Sequence, residues 1–381
     1  MFARQMLSSF TIKNYKSIVD LTLELGHFNV FIGENGAGKT NILEALAMAA
    51  GAATQRLTNE DLVARGVRVA RSVMTFNAFA DHPVADTVEL VLRAPNDEPE
   101  TRFELGHQDG AWVDPEGKLS RSLQLKYMAA GDIRFLPELN RHVSAVARRE
   151  HWQDVLRDYG IYCADTLALR GLLVESHREP LGLYGEALDV VLAQLPAEVR
   201  QRITDHARVI TWFEGLDVDR EGRRKLEGHK PGRSRSDLYF VDRFLSEQDR
   251  LFSAENANEG ILHLLMYLVL FLAPGTPRLF AIDNIETALN PHLLRHLVKT
   301  LAQLAKEQDR QALITTHNPA ALDGLNLHDD DQRLFVVYRS DEGHTRARRV
   351  AVKPQAPADG PKLKLSEMWM RGMLGGIPTS F

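Results

Sequence analysis

The sequence predicts an α/β fold: a parallel sheet flanked by helices, assembled from both ends of the chain, with a largely helical insertion between them. Three observations carry this. Phe28–Ile32 is nearly all apolar and runs into a glycine-rich octet and then a helix-length apolar stretch. The last third alternates apolar strands with helices, as expected where a sheet is buried on both faces. The stretch from about 140 to 254 is polar with helical periodicity, as in Leu188–Leu195.

The elements follow in order. Leu7–Ile12 and Leu21–Leu25 read as strands, and Phe28–Ile32 reads as a third, buried one. A helix is expected from Asn41 to Ala50, with Gly51 as its C-cap. Val73–Phe76, Val88–Leu92 and Arg102–Leu105 look like further strands separated by turn signals. The apolar run Ile261–Ala273 is shorter than the ~20 residues that cross a bilayer, so it predicts a buried helix. Arg278–Asp283 reads as a strand, 291–307 as a helix and Ala312–Thr316 as a second buried strand. Leu334–Tyr338 and Arg346–Val352 form a hairpin around Asp341-Glu342-Gly343. The expected units are 1–140, 141–254 and 255–381, the first and last together making one domain.

Composition excludes several classes. With 381 residues, 44% hydrophobic and 25% charged, the chain is neither wholly disordered, nor collagenous, nor a disulfide scaffold. Its single cysteine, Cys163, cannot form an internal disulfide, which suits a reducing cytoplasm. No secretory signal is visible after Met1. The net charge of −5 means that any nucleic-acid contact must use a local patch.

The chemistry concentrates in three places. Gly33-x4-Gly38-Lys39-Thr40 is a P-loop, where glycines let backbone N–H groups and a helix N-terminus face a phosphate. Lys39 would reach the β- and γ-phosphates, and Thr40 would hold Mg²⁺. Asp283 ends the strand Arg278–Asp283, and a carboxylate there needs a cation, which predicts a magnesium role with Thr40. Asn284 follows, and an amide cannot serve as a general base, so Glu286 is the candidate carboxylate. His317, after the second buried strand, is placed to hydrogen-bond a γ-phosphate or an attacking water.

With these motifs on the page, the chain resembles the ABC-type ATPases of the RecF, SMC and OLD-like group. Within it, the chain is similar to the compact AAA-type ATPases of bacterial anti-phage systems, such as the Septu- and PARIS-like ATPase subunits. The resemblance rests on Ile12–Ser17, Ile32–Ala45, Ile282–Glu286 with Leu289–Pro291, Ile314–Pro319 and the tail Leu365–Trp369 with Gly372. It implies an ABC-type P-loop ATPase head that binds ATP and Mg²⁺. The P-loop contacts would come from Asn35, Gly36, Ala37, Gly38, Lys39, Thr40 and Asn41, and the metal contacts from Thr40 and Asp283. The family sandwiches nucleotides between two heads, with a signature motif of one head on the γ-phosphate held by the other. Asn258-Glu259-Gly260 matches that motif, with Asn258 where Ser is usual, and Asn290-Pro291 matches the segment beside the dimer seam. Asn284 departs too, since Glu usually follows the magnesium aspartate, and this implies slow turnover. Gln124 is the candidate for the family's lid glutamine.

The implied function is an ATP-hydrolysing switch subunit of a defence or DNA-repair complex. It would be a homo-oligomer of at least two heads that controls a separate effector, a nuclease, with no membrane partner. The alternative is a nucleotide-loaded scaffold with little hydrolysis. A transporter motor is disfavoured by the missing LSGGQ-like signature. The loop 220–235, with seven Arg and Lys residues, reads either as a solvated loop or as a nucleic-acid contact. His292 and His296 lack a third metal ligand, and Asp329-Asp330-Asp331 reads as a solvated loop. Arg170 and His177 match a spacing too common to carry weight.

Overall fold

The computed structural model describes residues 6–68, 75–95, 100–108, 111–113, 150–172, 178–223, 236–248, 250–351 and 363–375. Fourteen strands form three sheets among these residues. The first sheet contains β1 (Ser9–Tyr15), β2 (Ile18–Glu24), β4 (Val88–Arg93), β5 (Thr101–Gln108) and β6 (Ala111–Val113), in the order β2-β1-β4-β5-β6. All of its pairings are antiparallel.

The central sheet has the order β14-β13-β3-β12-β11-β7. Its members are β3 (Phe28–Gly33), β7 (Ile161–Tyr162), β11 (Leu279–Ile282), β12 (Gln311–Thr316), β13 (Gln332–Arg339) and β14 (Thr345–Arg349). Five strands run parallel, and β14 closes the edge antiparallel to β13.

Side chains of β3 alternate between two cores, as the period of two requires. Phe28, Val30 and Ile32 face one core, and Phe31 faces the other, where it stacks on Phe335 with ring centroids 5.0 Å apart. The Phe31 side is filled by helix α1 (Lys39–Thr54) and the first sheet. The Phe28 side is filled by α3 (Glu259–Leu272) and α4 (Pro291–Glu307). Helix α3 is buried from Gly260 to Leu272, which matches its all-round apolar sequence. His263 is accommodated there by a 3.1 Å contact with Thr166 Oγ1, and burial pushes its pKa down to about 4, so it stays neutral. No helix among the described residues is long and apolar enough to cross a membrane.

Arg310 closes the end of α3. Its buried guanidinium donates to the carbonyls of Phe271, Ala273, Thr276 and Pro277 and has no carboxylate partner in that set. These are carbonyls that a helix C-terminus and the following turn leave open. Each would cost ~1–3 kcal/mol if stranded away from water.

The segment 141–254 differs from its largely helical expectation. It holds α2 (Ala197–Ala207) but also a three-stranded sheet of β8 (Phe213–Val218), β9 (Leu238–Asp242) and β10 (Leu251–Ser253). Rings of Trp212, Phe213, Phe240 and Phe252 pack together there. Aromatic residues suit a half-buried pleated surface, and polar neighbours obscured their alternation. Phe213, Leu238 and Phe240 join the core around α3, and β7 enters the central sheet beside β11. The insertion is therefore packed into the body of the fold.

Gly51 lies inside α1, and Gln55 is the left-handed cap. The glycine is explained by close approach, since a Cβ would lie 2.7 Å from the Arg56 carbonyl oxygen. Of the expected strand 73–76, Phe76 makes one isolated bridge to Tyr15, while Val73 and Met74 fall outside the described residues.

Candidate functional site: a phosphate cradle at the strand ends

Strands β3, β12 and β11 lie side by side and parallel, so their C-terminal ends share one edge of the sheet. Ligands of open α/β sheets bind at such edges. The P-loop follows β3, Asp283 follows β11 and His317 follows β12. Three motifs separated by up to 278 residues in sequence thus meet in space.

The loop has the backbone its sequence demands. Gly38 sits at φ 103°, where an L side chain is strained, and its absent Cβ would lie 2.1 Å from Thr345 Oγ1. Gly38 is the N-cap residue of α1, so the helix N-terminus opens towards the loop. Lys39 Nζ donates to the carbonyls of Gly33 (2.8 Å) and Glu34 (2.9 Å) and lies 3.1 Å from His317 Nδ1. Thr40 Oγ1 donates to Asp283 Oδ2 (3.0 Å), and Thr315 Oγ1 donates to Asp283 Oδ1. Glu286 Oε1 accepts the His317 backbone N–H at 2.7 Å, while Glu286 Oε2 is buried with no hydrogen-bond partner among the described residues.

This arrangement fits ATP and Mg²⁺. Lys39, donating to loop carbonyls, is free to exchange them for phosphate oxygens. Thr40 and Asp283 present a hydroxyl and a carboxylate side by side, a hard oxygen set of the kind Mg²⁺ takes. Glu286 offers an unpartnered buried oxygen, whose desolvation is costly until a water or other donor reaches it. Asn284 cannot take that role, and its geometry explains its presence. It sits at φ 56°, a left-handed conformation that Asn tolerates better than most residues, with its N–H on Thr315 Oγ1 at 2.9 Å.

Burial pushes the Lys39 ammonium down to about 8, against the opposing pull of Asp283, Glu286 and Glu34. Phosphates would raise it again on binding. If Lys39 meets the phosphates, it would do so best below pH 8, where it is already charged. ATP affinity should fall as pH rises through 8, by at most about tenfold per unit, until the bound-state value is passed. Calorimetric titrations between pH 7 and 9.5 check this, and a flat profile would contradict it. His317 is held below its usual range by burial and by the neighbouring Lys39, so its Nδ1 is an acceptor for the Lys39 ammonium.

The remaining expected residues stand differently. Asn35 and Gly36 are exposed on the loop. The Asn41 side chain turns away and donates to Ser17 Oγ at 2.7 Å. Asn258 Oδ1 caps α3 by accepting the Gly260 N–H at 2.8 Å. Gly260 lies near the Ala288 carbonyl and Leu293, so this edge adjoins the start of α4 rather than the P-loop of its own chain. Gln124, His177 and loop residues Arg224, Lys225, Lys230, Arg233 and Arg235 fall outside the described residues. The described Arg223 pairs with Glu221. Asp329 and Asp331 pair with Lys306, and Asp330 pairs with Arg349.

Sequence reasoning missed three supports. Thr315, quoted only as part of a motif, orients Asp283. Glu44 is a fully buried carboxylate on α1, paired with Lys16 and with Arg68 Nε at 2.9 Å. Thr345 reaches the loop from the far end of the chain. The signal for Glu44 was available, since a carboxylate in an otherwise apolar helix requires cations.

A glycine-rich cradle, a lysine, a hydroxyl–carboxylate pair and a poised carboxylate on one sheet edge define a P-loop nucleotide-binding head. A family described as "AAA domain, putative AbiEii toxin, Type IV TA system" matches residues 165–323, and a second, described as "AAA domain", matches 9–147. An OLD nuclease of Thermus scotoductus is 22% identical over 88% of this chain and 65% of its own length. The RecF DNA replication and repair protein of Listeria welshimeri is 46% identical over 14% of this chain and 15% of its own. The chain thus spans about two-thirds of the first relative and a small part of the second.

Among solved structures, an Smc head bound to the C-winged helix domain of ScpA has a TM-score of 0.56 at 15% identity, covering 91% of this chain and 98% of that one. A Pyrococcus furiosus Smc head bound to the C-terminal domain of ScpA has a TM-score of 0.50 at 12% identity, covering 91% and 96%. The chain has the fold of an SMC head, and its sequence is similar to AAA-domain ATPases and to the OLD and RecF proteins.

Proposed function

We propose that this protein is an ATP-hydrolysing switch subunit of a cytoplasmic defence or DNA-repair complex. The observation that carries hydrolysis is Glu286: one carboxylate oxygen is held by the His317 N–H, and the other is buried and unpartnered beside Lys39's site. In this reading the P-loop amides and Lys39 bind the phosphates, and Thr40 and Asp283 hold Mg²⁺. The metal, when bound, neutralises phosphate charge. Glu286 orients a water and takes its proton, and His317, neutral at its ring, hydrogen-bonds the γ-phosphate or that water.

Two heads close on ATP, each presenting its Asn258–Gly260 edge to the nucleotide of the other. Support comes from the position of that edge, at a helix N-terminus and away from the P-loop of its own chain. Closure then controls a separate effector, a nuclease. The OLD relative is a nuclease by name, which supports a nuclease as the effector chemistry. Any nucleic-acid contact in this scheme uses a local patch, for which the loop 220–235 is the candidate.

A second reading, a nucleotide-loaded scaffold, is favoured by Asn284 in the place of the usual base. Light scattering on the purified protein tests head closure. The mass should double on adding Mg²⁺ and a non-hydrolysable ATP analogue. A monomer at saturating analogue would overturn the two-headed arrangement.

A further inference from the structure

The β13–β14 hairpin reaches the outer wall of the P-loop at two successive peptides. Arg339 Nε donates to the Gly36 carbonyl at 2.9 Å, and the same guanidinium takes the Gly343 carbonyl at the hairpin's tip. Thr345 Oγ1 donates to the Ala37 carbonyl at 2.9 Å. Thr345 is itself set by a directional chain: the Asn41 amide donates to Ser17 Oγ, and Ser17 Oγ lies 2.7 Å from Thr345 Oγ1. The tip is anchored from the other side. His344 contacts Asp81 Oδ1 at 3.1 Å, and its ring packs on Phe79 with centroids 4.6 Å apart.

A trans peptide points its C=O and the next N–H in opposite directions. Holding the Ala37 carbonyl outward therefore turns the Gly38 N–H inward. Holding the Gly36 carbonyl outward keeps the turn in which the Ala37 N–H donates to the Glu34 carbonyl at 3.2 Å. The glycines at 33, 36 and 38 bring no side chain to maintain this shape, and of the residues between them only Ala37 packs into the core.

We propose that Arg339 and Thr345 are positioning residues for the nucleotide phosphates: from outside the P-loop Thr345 holds the Ala37 carbonyl outward and so aims the Gly38 amide at the anion, while Arg339 on the Gly36 carbonyl keeps the turn that presents it. The proposal rests on the nucleotide-binding reading of the same loop. It assigns no direct phosphate contact to Arg339. The arginine fork spans Gly36 and Gly343, a geometry that a lysine cannot reproduce.

Affinities for ATP, ADP and adenosine, measured by calorimetry beside melting temperatures, test it. Arg339→Gln should weaken ATP and ADP about tenfold, the worth of one charge-assisted hydrogen bond, and leave adenosine and the melting temperature unchanged. Arg339→Lys should weaken them nearly as much. Thr345→Val should lose several-fold, while Thr345→Ser binds as the wild type. Wild-type affinity in Arg339→Gln would overturn the brace. Full rescue by Arg339→Lys would overturn it too, because it would make the bare charge sufficient. Equal losses for ATP and adenosine would reduce the effect to general unfolding of the site and end the proposal. Failure of the wild type to bind ATP would instead remove the nucleotide reading, and the brace with it.

Discussion

Lys39→Ala is expected to weaken ATP binding by about a hundredfold or more and to abolish turnover, without unfolding the head. The ammonium is the cation of the Gly33–Thr40 loop, and it would meet the phosphates through charge-assisted hydrogen bonds, each about twice as strong as a neutral one. Its present partners are two backbone carbonyls at the loop and His317 Nδ1. With alanine, water can replace the lysine at the part-buried Glu34 carbonyl, so most of the cost falls on binding. Equilibrium titration with a fluorescent ATP analogue, beside a thermal melt, measures both. Near-normal affinity in this variant would place the nucleotide elsewhere.

Glu286→Gln is expected to separate binding from chemistry. The glutamine side-chain oxygen can still accept the His317 N–H, so the local structure is kept. What is lost is the basic second oxygen. Removing a general base costs roughly 10²–10⁴ in rate. ATP affinity should be unchanged, and turnover should fall at least about a hundredfold, with ATP-closed heads accumulating. Steady-state phosphate release, with binding measured on the same preparation, decides this. Undiminished turnover would exclude Glu286 as the base. Absent turnover in both the wild type and the variant, with tight binding in both, would instead favour the scaffold and make Asn284 the reason.

The candidate site was legible where its chemistry is local. Within Gly33–Thr40 a single stretch of backbone builds the cradle, and the apolar strand before it and the helix after it supply the context. Asp283 and His317 were legible because each ends an apolar strand, where a polar side chain must have a reason. Asn284 was legible as an oddity but not as a backbone requirement, because its left-handed φ comes from the turn that Thr315 holds. The strands of 213–253 were not legible, because short aromatic runs among polar residues match neither period cleanly.

Residue identities and short spacings thus decided the α/β class and the P-loop and marked the candidate magnesium pair and the candidate base, since these depend on a few successive peptides and on strand ends. Tertiary structure alone decided what braces them. Arg339 and Gly36 are 303 residues apart, and Thr345 and Ala37 are 308 apart. The insertion likewise proved to share its core with α3 through β7, Phe213 and Phe240. Such contacts join side chains to backbone groups at the far end of the chain, and neither partner carries a local pattern that marks the other. They exist only once the two chain ends close on one sheet, which places β13 beside β3 and so a guanidinium beside a glycine carbonyl.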